Sequence, residues 1–349
     1  MLSFGGPAGQ IALMHHEVVH RRSWISEQQF LDALAFCQVI PGPEAQQLAT
    51  YIGWRMHGLR GGLLAGGLFI LPGAMVMMVL ASLYVAGANT SVLRTLFLVA
   101  RPLVVVIVAF ALIRLARRAL RSRFDLFLAA GAFASLFVFH LPFPLVVLGA
   151  GLLGATRSSG SGAVAAAQRP GAGSSLRILG AGVLLWWLPL LALFLALGGG
   201  NALVQLGFFL GRVALVTFGG AYAILTYVQV EVVQHFQWLR PAEMLDGLGL
   251  AETTPGPLIL VLQFVGFLTG HRFGAPFESW MGGVIGALIA VWMSFVPSFT
   301  FVLAGAPYME WIRSIPRLQA AFGGVSSAVV GVVLNLAVTF AGQAIGLGG

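Results

Sequence analysis

Apolar runs of roughly 20 residues recur along this chain, and two of them are broken by the same motif, Pro41-Gly42-Pro43 and Pro255-Gly256-Pro257. Runs of that length cross a bilayer as helices, because every backbone N–H and C=O must be satisfied within the segment. Closed β-barrels, the other solution, show weakly alternating stretches of ~10 residues, a different pattern. Proline removes a backbone donor and clashes with the preceding turn. A Pro-Gly-Pro break inside lipid therefore costs several kcal/mol unless something uses it.

Composition agrees with a polytopic, all-α membrane protein of about 10–12 helical segments. Of the 349 residues, 58% are hydrophobic and 9% charged, against about 25% charged in soluble domains. All 19 basic residues are arginine and the formal net charge is +8. They lie dispersed between apolar runs, the pattern of the positive-inside rule and not of a nucleic-acid surface. The single cysteine, Cys37, excludes an intrachain disulfide and a cysteine metal cluster. No Walker sequence, His-Glu-x-x-His or Gly-x-Ser-x-Gly pattern is present, so ATP hydrolysis, enzymatic chemistry and a cofactor are not expected. His15, His16 and His20 read as an interfacial face with no metal role. No basic region precedes an apolar one at the start, so a cleavable signal peptide is not expected.

In chain order, Met1 to His20 is short for a span. Ser26 caps a helix with Gln29 at its third position, and Pro41 ends it. A helix resumes at Glu44, so 29–57 reads as two half-helices meeting at Pro-Gly-Pro. Leu59 to Ala86 spans, with a kink expected at Leu71-Pro72-Gly73. Val92 to Leu115 spans and carries Arg94 and Arg101. Arg114, Arg117, Arg118, Arg121 and Arg123 form the densest basic cluster, expected in the cytoplasm. Phe124 to His140 and Pro142 to Ala155 form either a hairpin or one kinked helix. Residues 156–176, rich in Gly, Ser and Ala, read as a linker between an N-terminal repeat (1–155) and a C-terminal repeat (177–349). Spans are then expected at Ile178–Leu197, Ala202–Glu231, Trp280–Leu303 and Leu318–Ile345. Trp238–Gly270 repeats the first broken segment.

Residues 4–43 align with 218–257 without a gap, with 13 identities in 40 positions. Phe4-Gly5-Gly6 falls on Phe218-Gly219-Gly220, Glu17 on Glu231, Trp24 on Trp238, Leu31-Asp32 on Leu245-Asp246, and the two Pro-Gly-Pro motifs on each other. Further on, Ile52-Gly53 corresponds to Val265-Gly266 and Pro72 to Pro297. The chain is a duplication, and paired broken helices in corresponding positions point to a transporter site between the halves.

The chemistry of the breaks suits an oxyanion. Pro43 occupies the first helical turn, leaving the N–H groups of Glu44, Ala45 and Gln46 as orphan donors. Leu258, Ile259 and Leu260 supply the equivalent set. Each helix end adds about half a positive charge, and glycine permits close backbone approach. Gln38, Gln46, Gln47, Thr50, Thr253, Thr254 and Gln263 either complete the site or bond neighbouring helices. Arg101 and Arg212 lie inside spans, where they either fork onto an oxyanion or snorkel to an interface. The acids Asp32, Glu44, Asp246 and Glu252 would repel an anion and fit proton coupling better, with Glu44 and Glu252 first. Glu17 and Glu231 are expected to pair with Arg21, Arg22 or Arg240.

Ser3-Phe4-Gly5-Gly6-Pro7, Arg22-Ser23-Trp24-Ile25-Ser26, Cys37-Gln38, Pro41-Gly42-Pro43-Glu44-Ala45-Gln46-Gln47 and Tyr51-Ile52-Gly53-Trp54 resemble the chromate ion transporter family over nearly the whole chain. The resemblance implies a multi-pass bacterial inner-membrane protein exporting chromate on the proton motive force, with oppositely oriented halves. Sulfate, also a tetrahedral dianion, is the natural competitor or alternative substrate, and a homo-oligomer is left open. The family carries an arginine six residues before Phe-Gly-Gly. Arg212 holds that place in the second half, while the first half begins at Met1, so a truncated first helix or an upstream start is expected. The loops around the first break carry Arg21, Arg22, Arg55 and Arg60, against Arg240 and Arg272 around the second, which favours inversion with the first set cytoplasmic.

Overall fold

The computed structural model describes residues 6–38, 40–87, 106, 108–110, 112–117, 119–139, 141–157, 172–217, 221–309, 311 and 315–344. The described residues are helical throughout, as the composition requires. Helix α1 (Gly6–His15) runs into a π-helix, π1 (His16–Arg21). The half-helix α2 (Glu27–Cys37) begins at the expected capping box, with Ser26 and Gln29 capping each other's amides. After the first break, α3 (Glu44–Gly87) folds back on itself, with non-helical dihedrals at His57 and Gly58. Its two arms form a hairpin held by the close approach of Gly53 and Gly61. The break in α3 falls at His57-Gly58, between the half-helix read up to 57 and the span read from Leu59, and Gly58 there takes φ 62°; Pro72 lies inside the second arm.

Helices α4 (Arg123–Phe137) and α5 (Phe143–Thr156) settle the alternative left by the sequence. They are the arms of a hairpin whose ends meet, with Arg157 donating to Ser122 at 3.0 Å and lying over Phe124. Each arm is about 22 Å long, short of a 30 Å hydrocarbon core. Both pack on the last helix α12 (Pro316–Ala344), through Gly154 against Gly324 and through Ser327 donating to Asp125 at 3.1 Å. Helix α6 (Ala172–Leu197) begins inside the stretch read as linker. Most of its leucines face outward, Leu184 at 70% and Leu195 at 76% exposed, toward lipid, while Leu190 is buried in the core.

The span expected over Ala202–Glu231 is three pieces: α7 (Ala202–Val216), α8 (Ala221–Gln229) and π2 (Val230–His235). Thr217 ends α7 because its carbonyl accepts the Gly42 N–H at 2.8 Å rather than continuing the ladder. Next come α9 (Pro241–Thr253), the second break, a 3₁₀ turn (Leu258–Leu260), α10 (Val261–Phe273) and the long α11 (Ser279–Gly305). Helices α10 and α11 form the second hairpin, glycine to glycine at 266/286 and 270/282. Among the described residues four helices, α3, α6, α11 and α12, are long and apolar enough to cross a membrane.

The two halves are inverted. The second arm of α3 packs against α11 with Gly62 beside Leu303 and Gly66 beside Phe299, so these corresponding helices run antiparallel. The return turn of α3 therefore lies at one end of the molecule. That of α10 and α11 lies at the other, where Asn201 donates to Ala275 at 2.5 Å.

Ion pairs mark the ends. Glu17 pairs with Arg21 at 2.8 Å and Arg22 at 3.4 Å. Glu231 meets His235, four residues on, at 3.0 Å. Arg240 binds Glu243 instead, together with Arg272. Burial pushes the Glu243 carboxyl up, but hydrogen bonds from Arg272 and Arg240 outweigh it and bring it from 4.5 to about 2.

Candidate functional site

Each break is built by both halves. At the first, Gly42 takes φ 137° and its N–H bonds Thr217 of the second half. Gln47 turns back to donate its amide to Pro41 O at 2.9 Å and Ile40 O at 3.4 Å, satisfying the carbonyls the break exposes. Ser298, which follows Pro297 on α11, lies against Gly42 and donates to Gln46 Oε1 at 2.6 Å. Gln46 in turn donates to Thr50 at 2.9 Å. Gln46, Gln47, Thr50 and Ser298 are all buried.

The second break repeats this arrangement with other residues. Gly256 takes φ 139°. Gly73, which follows Pro72 on α3, lies against Pro255 and Gly256. The buried Gln10 of α1 donates to Gly256 O. Gln263 donates to Ala74 O at 2.9 Å, tying α10 to α3. Thus each half's proline-bearing long helix covers the other half's break, and each half's first segment bonds the other half's glycine. Gly66, level with the first break, and Gly73, at the second, lie two turns apart on α3, about 10 Å along its axis. The two helix ends therefore sit close together, deep in the bundle.

The structure sorts the expected site residues. Pro41, Gly42, Pro43, Ala45, Gln46 and Gln47 come together with Ser298, and Glu44 and Gln38 flank them half-buried. Pro255, Gly256 and Pro257 come together with Gly73 and Gln10. Thr253 and Thr254 bond backward to Gly249 and Leu250 carbonyls of their own helix. The amide nitrogens of Gln10, Gln47 and Gln263 bond backbone carbonyls, and their Oε1 atoms are buried without a hydrogen-bond partner among the described residues. Of the first-turn amides expected as donors, Leu260 N–H is taken by Pro257 O at 3.0 Å because the second break opens with a 3₁₀ turn, which leaves those of Glu44, Ala45 and Gln46 at the first break and of Leu258 and Ile259 at the second.

Of the arginines, Arg101 lies outside the described residues. Arg212 is on the exposed face of α7, with Phe208 and Leu215. The acids separate by depth. Asp32 accepts from Gln28 at 2.9 Å, and buried Asp246 accepts from Tyr84 at 2.9 Å; both lie turns away from the breaks. Glu252 is at the second break and accepts a hydrogen bond from Tyr222. Gln10, Gly73, Thr217, Tyr222 and Ser298 escaped sequence reasoning. The correspondence of Pro72 with Pro297 was the signal for two of them, since Gly73 and Ser298 are the residues that follow.

The family model described as chromate transporter matches residues 1–155 and 204–347. A chromate transport protein of Pseudomonas aeruginosa is 33% identical over 336 residues, covering 95% of this chain and 76% of that one. A chromate transport protein of Cupriavidus metallidurans is 26% identical over 353 residues, covering 99% and 80%. No solved structure matches. With two inverted halves, a Pro-Gly-Pro break in each, and a family match over both, the chain belongs to the chromate transporter family.

Proposed function

We propose that this protein is a secondary active transporter that exports chromate across a bacterial inner membrane, driven by the proton motive force. The observation that carries the reading is the reciprocal construction of the two breaks: two half-helix N-termini, deep in the bundle, each closed by the other half. Such ends offer unpaired N–H groups and positive dipole to a tetrahedral dianion without a buried charge of their own. Because each break is sealed by the opposite half, rocking one half against the other opens one seal as it closes the other, which is alternating access. The names of the relatives supply chromate as the substrate. The end that carries Arg21, Arg22, Arg55 and Arg60 faces the cytoplasm.

Glu252 is the proton carrier of this reading. It is an acid at the break, its carboxylate held by Tyr222. Glu44 is its counterpart at the first break.

The test is uptake of labelled chromate into everted membrane vesicles containing the protein, with and without a protonophore and with excess sulfate. Uptake that collapses with the proton gradient is expected. Uptake equal to that of vesicles lacking the protein sinks the transport reading. Gradient-independent uptake sinks the coupling alone, and stronger uptake of labelled sulfate than of chromate reassigns the substrate.

A further inference from the structure

The geometry points to a divalent transition-metal site, of the Zn²⁺ or Co²⁺ class, formed by His15, His20 and Glu27 at the outer end of the first broken helix. One ligand atom from each of these three side chains lies within 4.8 Å of the other two. His15 Nε2 and Glu27 Oε2 are 2.8 Å apart, and the His15 and His20 rings meet edge to face at 4.9 Å. The local backbone explains the meeting. Residues five apart on an α-helix point in different directions, but π1 is wound with i→i+5 bonds, which stack His20 over His15. The turn after Arg22 then brings the start of α2 back, presenting Glu27 from its first helical residue. Phe30 backs the His15 ring at 4.7 Å and fixes one side of the site.

Two imidazoles and a carboxylate are a ligand set for a tetrahedral ion with one open position. Metal–ligand bonds of about 2.0–2.2 Å place ligand atoms roughly 3.3 Å apart. Glu27 and His20 are exposed, so rotamer shifts alone close the remaining gap. Of the arginines beside the site, Arg21 and Arg22 share the Glu17 carboxylate, which reduces their combined charge to a single positive one.

The second half provides an internal contrast. It carries the same π-helix, but Gln229, Gln234 and Pro241 stand where the first half has His15, His20 and Glu27. The fold keeps the turn in both halves, whereas the ligands belong to one. A metal held there staples α1 to the N-terminus of α2, the helix whose other end is the first Pro-Gly-Pro break. It would therefore act on one half of the transporter only.

The experiment uses the full-length, tag-free protein in detergent, titrated with Zn²⁺ by calorimetry and with Co²⁺ by absorption. One ion per chain is expected, with nitrogen and oxygen ligand-field bands and a raised thermal unfolding midpoint. His20→Ala and Glu27→Gln, both at exposed positions, should each weaken binding by roughly tenfold or more. His235→Ala, on the π-helix of the other half, should leave it unchanged. The proposal is overturned by the absence of saturable binding, by equal affinity in His20→Ala and Glu27→Gln, or by a thiolate charge-transfer band that assigns the ion to Cys37.

Discussion

Replacing Gly42 with alanine separates the two demands that the first break makes. A Cβ there would lie 2.5 Å from Gln47 Nε2 and 2.8 Å from Ser298 Oγ, at a φ of 137°. The backbone strain costs roughly 1–3 kcal/mol for a residue with a side chain. Displacing Gln47 and Ser298 forfeits two buried hydrogen bonds, to Pro41 O and Gln46 Oε1, at about 1 kcal/mol each. The sum is about 3–5 kcal/mol. Gly58→Ala is the matched control: its φ is also positive, at 62°, but a Cβ there meets nothing within 4 Å, so strain is its whole cost. Cys37, the single cysteine, is fully buried beside the break, so a thiol-reactive dye followed on heating reports unfolding of this region. Gly42→Ala should unfold well below Gly58→Ala and lose vesicle transport. Adding Ser298→Gly should recover part of the loss, because it removes one of the two clashes. Equal midpoints for the two alanine variants, or no recovery in the double variant, would refute the packing argument.

At the second break, Gly73→Ala places a Cβ 2.5 Å from Pro255 O, a backbone atom that cannot turn aside, so transport should be lost and no single side-chain deletion should restore it. Glu243→Gln should cost about 3 kcal/mol, from a carboxyl held at about 2 against 4.5. Since its folded value is depressed, that stabilisation is present above pH 4.5 and disappears as pH falls toward 2, and the variant's unfolding midpoint should be flat across that window where the wild type's falls. On a Cys37→Ala background, His57→Cys and Phe277→Cys sit on the two return turns and should be labelled by an impermeant thiol reagent from opposite sides of the membrane; labelling from one side would contradict the inverted arrangement. Glu252→Gln should keep chromate binding while making vesicle uptake insensitive to a protonophore, and undiminished proton dependence would remove Glu252 from the coupling path.

Much of this protein is decided by local chemistry, which the sequence carries on its own. Apolar run length sets helices in a membrane, and Pro-Gly-Pro interrupts them wherever it stands. The capping box at Ser26 is a four-residue event, legible without any neighbour. The duplication is legible because identities recur at one offset, and it led to Pro72 and Pro297. Where local rules gave two answers, they failed. Ala202–Glu231 read as one span, because nothing near Thr217 announces that its carbonyl is taken by Gly42, 175 positions away.

The sequence by itself therefore determined two membrane-embedded halves, each with one broken helix. Only the tertiary structure decided that each break is sealed by the opposite half, by Ser298 and Thr217 on one side and by Gly73 and Gln10 on the other. It also decided that 123–156 is a hairpin and that a π-turn gathers His15, His20 and Glu27. The physical reason is that periodicity and propensity act over a few residues, whereas these contacts join positions far apart in the chain. They are chosen by how two antiparallel halves pack, once lipid has forced every helix to bury its polar groups against another.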